Sequence, residues 1–215
     1  MYGQIFSNES DIYQYQIGME LSSFHQYLEL TNNFWDRKIK EFETELNSLN
    51  ERDMHYFDPE WYVLNSIPDL LKSSLLISIF SFFETEFDRV VKEFATKKSI
   101  PLQSADIPDK GIVRARKYVK KAFDIDLISS LQNEWGSLKD FQTIRNSLNH
   151  SGYITQKKAT IEIIKKLKQY FDFSETDGEF RFSFKDMEYH KQIIGKIQFF
   201  LVELYKMLHS SINKH

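Results

Sequence analysis

From Asp69 to Lys97 the chain reads DLLKSSLLISIFSFFETEFDRVVKEFATK. Asp69 follows a proline and can charge or cap a helix start, and Lys97 with Lys98 suits a helix end. The first half is apolar on nearly every side, with Leu70, Leu71, Leu75, Leu76, Ile77, Ile79, Phe80, Phe82 and Phe83. A helix with no polar face belongs at the centre of a bundle, where neighbours cover it all round. It is too short and too interrupted for a membrane span, which needs about 20 mostly apolar residues. Lys72 and four serines break the run from Leu70 to Phe83, and Glu84 and Glu86 follow.

On the N-terminal side, Ser7, Asn8 and Ser10 offer caps for a first helix from Asp11 to about Leu49. Its apolar residues recur every three or four positions: Ile17, Leu21, Phe24, Leu28, Phe34, Trp35, Ile39, Phe42 and Leu46. Arg52 to Pro68, with Pro59 inside it, reads as a connector.

On the C-terminal side, Ser99–Pro108 is a loop, and a basic helix is predicted from Lys110 to Phe123. Asp124–Leu131 gives a short helix, with Asp124 and Asp126 as capping acids. Glu134–His150 follows with Trp135, Leu138, Phe141, Ile144 and Leu148 on one face, and Gly152 supplies a left-handed cap. After a weak helix over Lys158–Tyr170, alternating Phe and polar residues around Asp177-Gly178 read as a β-hairpin. The last helix, Asp186 to Ser211, turns Ile193, Ile194, Ile197, Phe200, Leu201, Leu204 and Leu208 inward. The predicted fold is all-α, a helical bundle with one short hairpin appended before the final helix.

Composition agrees. Seven Gly and four Pro in 215 residues favour long helices over many turns, and 15% aromatic residues supply bulky core material. A net charge of −3 excludes a polycation that coats nucleic acid through its overall field, so any binding to RNA is local. The absence of cysteine excludes disulfides, thiolate metal sites and cysteine nucleophiles, and fits a reducing compartment. Residues Met1–Ser10 hold no basic run followed by an apolar stretch, so a cytoplasmic location and no membrane partner are expected. The six histidines have no metal-ligand spacing, and there is no P-loop, Gly-rich dinucleotide turn or Gly-x-Ser-x-Gly elbow. No metal or cofactor is expected.

The legible chemistry lies in Phe141-Gln-Thr-Ile-Arg145-Asn146-Ser-Leu-Asn149-His150-Ser-Gly-Tyr153. Arg145 and Asn149 are four apart and share a helix face, and Asn146 and His150 share the adjacent one. The helix end thus gathers a fixed cation, two amides and an imidazole. RNA phosphodiester cleavage needs a proton taken from the 2′-hydroxyl, one given to the 5′-oxygen, and stabilisation of the phosphorane charge. Histidine titrates near neutral pH and can move the protons; arginine holds a phosphate with two bonds. On the residues alone, the same side chains also suit a solvated face with His150 as a C-terminal cap residue.

Arg145-Asn146-x-x-x-His150 at the end of a bundle helix resembles the R-x4-6-H motif of the HEPN superfamily (higher eukaryote and prokaryote nucleotide-binding domains). The resemblance spans about Asp69 to His209 and leaves out the N-terminal helix. It implies an all-α bundle over 69–215, with 1–68 packed on it as an N-terminal helix and connector. It also implies a homodimer in which two motifs face each other in one composite cleft. The activity implied is metal-independent RNA cleavage in a toxin–antitoxin or phage-defence system, with an antitoxin or defence-complex protein as partner. Arg145, Asn146 and His150 take the catalytic roles. Tyr153 supports them, although it lies three residues after the histidine where some relatives have a tyrosine at two.

Two further features are candidates. Glu84 lies on the stripe Ile77, Phe80, Glu84, Phe87, Val91, where a buried carboxylate needs a partner. Arg145 is the expected one, matching the acid that several HEPN members place nearby; otherwise Glu84 sits at the rim and reaches water. Lys110, Arg114, Arg116, Lys117, Lys120 and Lys121 form a run of six cations without an acid, with Tyr118 between them. Such a run tracks an RNA backbone or an acidic partner, or is a solvated helix face. The reading from a different class is a non-catalytic HEPN module that binds nucleotide, RNA or protein as a dimer; a plain helical dimerisation domain is a third.

Overall fold

The structure is a computed structural model that describes residues 8–47 and 58–212. In chain order the elements are α1 (Glu9–Asn47), α2 (Asp58–Lys97), a 3-10 turn (Ser104–Asp106), α3 (Gly111–Phe123), α4 (Leu127–Ser130) and α5 (Gln132–Ser151). Strand β1 (Ile154–Thr155), α6 (Lys158–Lys166), β2 (Phe171–Thr176), β3 (Glu179–Phe184) and α7 (Glu188–Ile212) follow. The chain is mostly helical, as its periodicity predicts.

The helix ends follow the capping residues. Asn8 Oδ1 accepts from the Asp11 amide at 3.0 Å and starts α1. Asp124 takes the left-handed conformation that closes α3, and Asp126 caps α4 by accepting from the Ile128 amide at 3.0 Å. Asp186 does the same for α7 through the Glu188 amide at 2.7 Å. Gly152, at φ +60°, ends α5 with its amide 3.2 Å from the Leu148 carbonyl.

The structure corrects three expectations. The connector expected over Arg52–Pro68 is helical from Asp58 onward, with Pro68 inside α2; its first part, Arg52 to Phe57, lies outside the described residues, as do Ser48 and Leu49. Proline removes one helical donor and crowds the carbonyl one turn back, and α2 continues through Pro68 with both costs. The division expected after Pro68 therefore falls within a helix. Second, the buried run of α2 lies further along than its composition suggests. Leu70 is exposed, whereas Leu76, Ile79, Phe80, Phe83, Phe87, Val90, Val91 and Phe94 are fully buried. Third, the hairpin is part of a three-stranded antiparallel sheet of order β1-β3-β2.

The chain forms two compact units. The first comprises 1–21, 78–143 and 192–215. Its core is a set of aromatic side chains spread over four helices. Phe80 meets Phe141 edge-on at 5.1 Å, Phe83 and Phe87 meet Phe200 at 5.6 and 5.3 Å, and Tyr13 stacks on Tyr205 at 4.3 Å. Such pairs add about 0.5–1.5 kcal/mol each to the burial of their area.

The second unit comprises 22–77 and 144–191. Its sheet pairs β2 with β3 from Phe171↔Phe184 to Thr176↔Glu179. Asp177 and Gly178 form the two-residue loop with φ of +53° and +77°, the type I′ geometry that suits the strand twist. Phe171, Phe182 and Phe184 cluster with Tyr153 and Tyr189 beneath the sheet.

Contrary to the expectation from the interrupted run Leu70–Phe83, the part of α2 from Ser66 to Lys97 is long and apolar enough to cross a membrane by length and composition. Its second half is core to the first unit, where Phe83, Phe87 and Phe94 are fully covered.

Candidate functional site

The last two turns of α5 carry the motif. Ile144, Ser147 and Leu148 are buried and fix the helix against its unit. Arg145 and Asn146 are therefore half-buried at the edge of that contact, and Asn149 and His150 are exposed. Arg145 Nη1 donates to Asn146 Oδ1 at 3.1 Å. The bond joins sequence neighbours, so Asn146 holds the guanidinium from the same turn of α5. His150 stands one turn beyond Asn146, before the Gly152 terminus. The Ser147 hydroxyl beneath them is buried, with no hydrogen-bond partner among the described residues.

Tyr153 lies apart in role. Its hydroxyl donates to the Asp69 carbonyl, and its ring packs edge-on against Phe182 and Phe184. Burial pushes the phenol well above its usual range, so the group stays protonated. Tyr153 thereby ties the exit of α5 to α2, an anchoring contact that the sequence reading did not foresee.

Glu84 is half-buried and belongs to the first unit, whereas Arg145 belongs to the second. Its carboxylate oxygen lies against the Cα of Gly111, in the space a side chain there would fill. Gly111 opens α3, and Lys110 provides no side-chain cap. Glu84 thus places a negative charge at the positive end of α3. With Asp88, Lys92, Arg114 and Tyr118 it also lines a cleft of about 870 Å³ within the first unit.

The six cations from Lys110 to Lys121 do not form one free stripe. Lys117 lies 2.6 Å from Asp109 and Lys120 lies 2.9 Å from Asp124, acids just outside the run. Arg116 covers the Trp135 ring at 5.5 Å, and Arg114 turns to the cleft. Lys110 and Lys121 are exposed.

Two polar groups escaped the sequence reading. The buried carboxylate of α2 is Glu86. It accepts from the Tyr13 hydroxyl at 3.1 Å and from Arg89 at 2.6 and 2.8 Å. Burial and the adjacent carboxylate push the Tyr13 phenol far up. The other is His190, fully buried beside the Phe184 ring, with Nε2 2.8 Å from the Lys72 carbonyl. A carbonyl only accepts, so Nε2 carries the proton, and Nδ1 has no partner among the described residues. Burial pushes its pKa down to about 4. Tyr13 with Arg89, and a histidine inside an aromatic cluster, were the available signals.

Among the described residues no group of three or more His, Asp or Glu is placed to hold a metal ion. No protein-family model, curated protein or solved structure matches the chain.

Proposed function

We propose that the chain is a HEPN-type endoribonuclease that cleaves RNA without a metal, acting in the cytoplasm within a toxin–antitoxin or phage-defence system. The observation that carries this reading is the Arg145–Asn146 bond at the half-buried end of α5, one turn before an exposed His150. A held guanidinium and an open imidazole on one helix end are the two components that phosphodiester transesterification needs.

In this mechanism Arg145 binds the scissile phosphate and offsets the charge of the phosphorane. Asn146 positions Arg145. His150 takes the 2′-hydroxyl proton as the 2′-oxygen attacks phosphorus, and a protonated imidazole returns a proton to the departing 5′-oxygen. A second copy supplies that second imidazole in a composite cleft. The products are a 2′,3′-cyclic phosphate and a 5′-hydroxyl. Lys110, exposed just before α3, and Lys121, exposed on it, are the cations left for the RNA backbone.

The second reading is a non-catalytic HEPN module that binds RNA, nucleotide or protein as a dimer. The pairing of Lys117 and Lys120 with acids and the anchoring role of Tyr153 favour it. Expressing the wild type and the His150→Ala chain in bacteria, with total RNA on a gel, separates the two. Growth arrest and RNA fragments with the wild type alone support the ribonuclease. Intact RNA with both chains supports the binding module.

A further inference from the structure

Within the first unit, α2, α3 and the loop between them enclose a cleft of about 870 Å³, inside the range of about 300–1,000 Å³ that small-molecule sites occupy. Its space follows from the sequence. Glu84, Asp88 and Lys92 stand four residues apart on one face of α2, and Gly111, Arg114, Ala115 and Tyr118 share one face of α3. Gly111 and Ala115 are small, so α3 leaves room in front of α2. Ser99, at φ +51°, turns the chain out of α2. The Tyr118 hydroxyl donates to the Leu102 carbonyl at 2.7 Å and fastens the loop that follows.

Four charges line the cleft, two of each sign. Asp88 and Lys92 neutralise each other at 2.5 Å. Glu84 and Arg114 do not. Both are half-buried, and neither side chain makes a hydrogen bond or ion pair with a described residue. The Nε of Arg114 is fully buried without a partner among them. A charge partly withdrawn from water is costly unless an opposite charge meets it. An unmatched carboxylate and an unmatched guanidinium in one cleft therefore suit a ligand that carries both complements. The Glu84 carboxylate lies against Gly111, three residues and about 4.5 Å of helix before Arg114.

We propose that this cleft binds a free amino acid as its zwitterion, with the ligand's carboxylate on Arg114 and its ammonium group on Glu84. The two charged groups of an amino acid sit on one carbon and span such a short separation. Guanidinium offers a carboxylate two parallel bonds, and a carboxylate accepts strongly from an ammonium. The hydroxyls of Thr85, Ser99 and Ser104 along the wall suit a polar side chain. Charge balance disfavours other ligands: a phosphate compound would meet two carboxylates, and a polyamine would meet two cations. The proposal concerns the first unit alone and does not rest on the ribonuclease reading, whose motif belongs to the second.

Isothermal titration calorimetry of the full chain against each standard amino acid tests it. At least one should bind saturably, with Kd below about 1 mM. Its amide and its N-acetyl form, each short of one charge, should bind at least about 10-fold more weakly. Glu84→Gln and Arg114→Met should each weaken binding of the amino acid at least about 10-fold, with circular dichroism unchanged. Glu84→Gln should not weaken the N-acetyl form further, because that form already lacks the charge that Glu84 meets. Ala105→Trp fills the exposed mouth of the cleft without touching either charge, and should abolish binding. It decides the matter, with Glu84→Gln, if Arg114→Met does not fold. The proposal is overturned if no amino acid binds, or if inorganic phosphate binds more tightly than all of them. Binding that survives Glu84→Gln and Ala105→Trp overturns it as well.

Discussion

Arg145 donates to the side chain of its own neighbour, Asn146, at 3.1 Å, which ties the cation of the α5 motif to the adjacent amide. Asn146→Ala should keep the fold and the charge yet remove the bond that Asn146 makes to the guanidinium. Misplacing a positioning group by about 1 Å costs on the order of 100-fold in rate. The expected loss in kcat/KM on RNA is of that order. Arg145→Lys should be at least as damaging, because lysine keeps the charge and loses the two-pronged geometry. If Asn146→Ala cleaves RNA at the wild-type rate, the bond is incidental.

Glu86 predicts a stability effect that Glu84 does not. Tyr13→Phe deletes one donor to a carboxylate that retains Arg89, and should cost about 1–2 kcal/mol in urea unfolding. Glu86→Ala leaves a buried phenol without its acceptor and removes the Arg89 bonds as well, so its loss should be larger. Equal stability of both variants with the wild type would refute the role given to Glu86.

Gly111 is held at φ +56° with the Glu84 carboxylate against it. Gly111→Ala should cost at least about 1–2 kcal/mol from the left-handed backbone alone. The crowding against Glu84 adds to this. In a Glu84→Ala background the crowding part should disappear and the backbone part remain. A double-mutant cycle measures the difference; strictly additive costs would show that the two groups do not touch.

His190 predicts a pH dependence. Its folded pKa, about 4, lies below the ordinary 6.5. Between those values the unfolded chain binds the proton and the folded chain does not. Its stabilising effect is therefore complete above pH 6.5 and is lost as pH falls toward 4, by about 3 kcal/mol at 1.36 kcal/mol per pKa unit. Urea midpoints of the wild type should fall over this range more steeply than those of His190→Gln. Parallel curves would contradict the buried neutral imidazole.

Much of this fold was legible because its signals are local. Asp177-Gly178 between alternating phenylalanines fixes the hairpin, and Gly152 fixes the end of α5. Strand β1 was not legible, since two residues show no period and its pairing is decided by β3. The helical start of α2 was hidden by Pro68, because a proline weighs more in a local reading than in a packed helix. In the site, the four-residue spacings of Arg145–Asn149 and Asn146–His150 follow from helix geometry. The choice between Glu84 and Glu86 does not. Two residues along a helix turn a side chain through about 200°, and only the position of Tyr13, 73 residues away in the chain, decides which carboxylate is buried.

The ribonuclease reading is tested most directly with purified protein, a defined RNA and an excess of EDTA, with the product ends identified. The account predicts cleavage unaffected by the chelator, fragments ending in a 2′,3′-cyclic phosphate and a 5′-hydroxyl, and a fall of at least about 100-fold with His150→Ala. RNA that stays intact with the wild type, cleavage abolished by EDTA, or full activity in His150→Ala would contradict it.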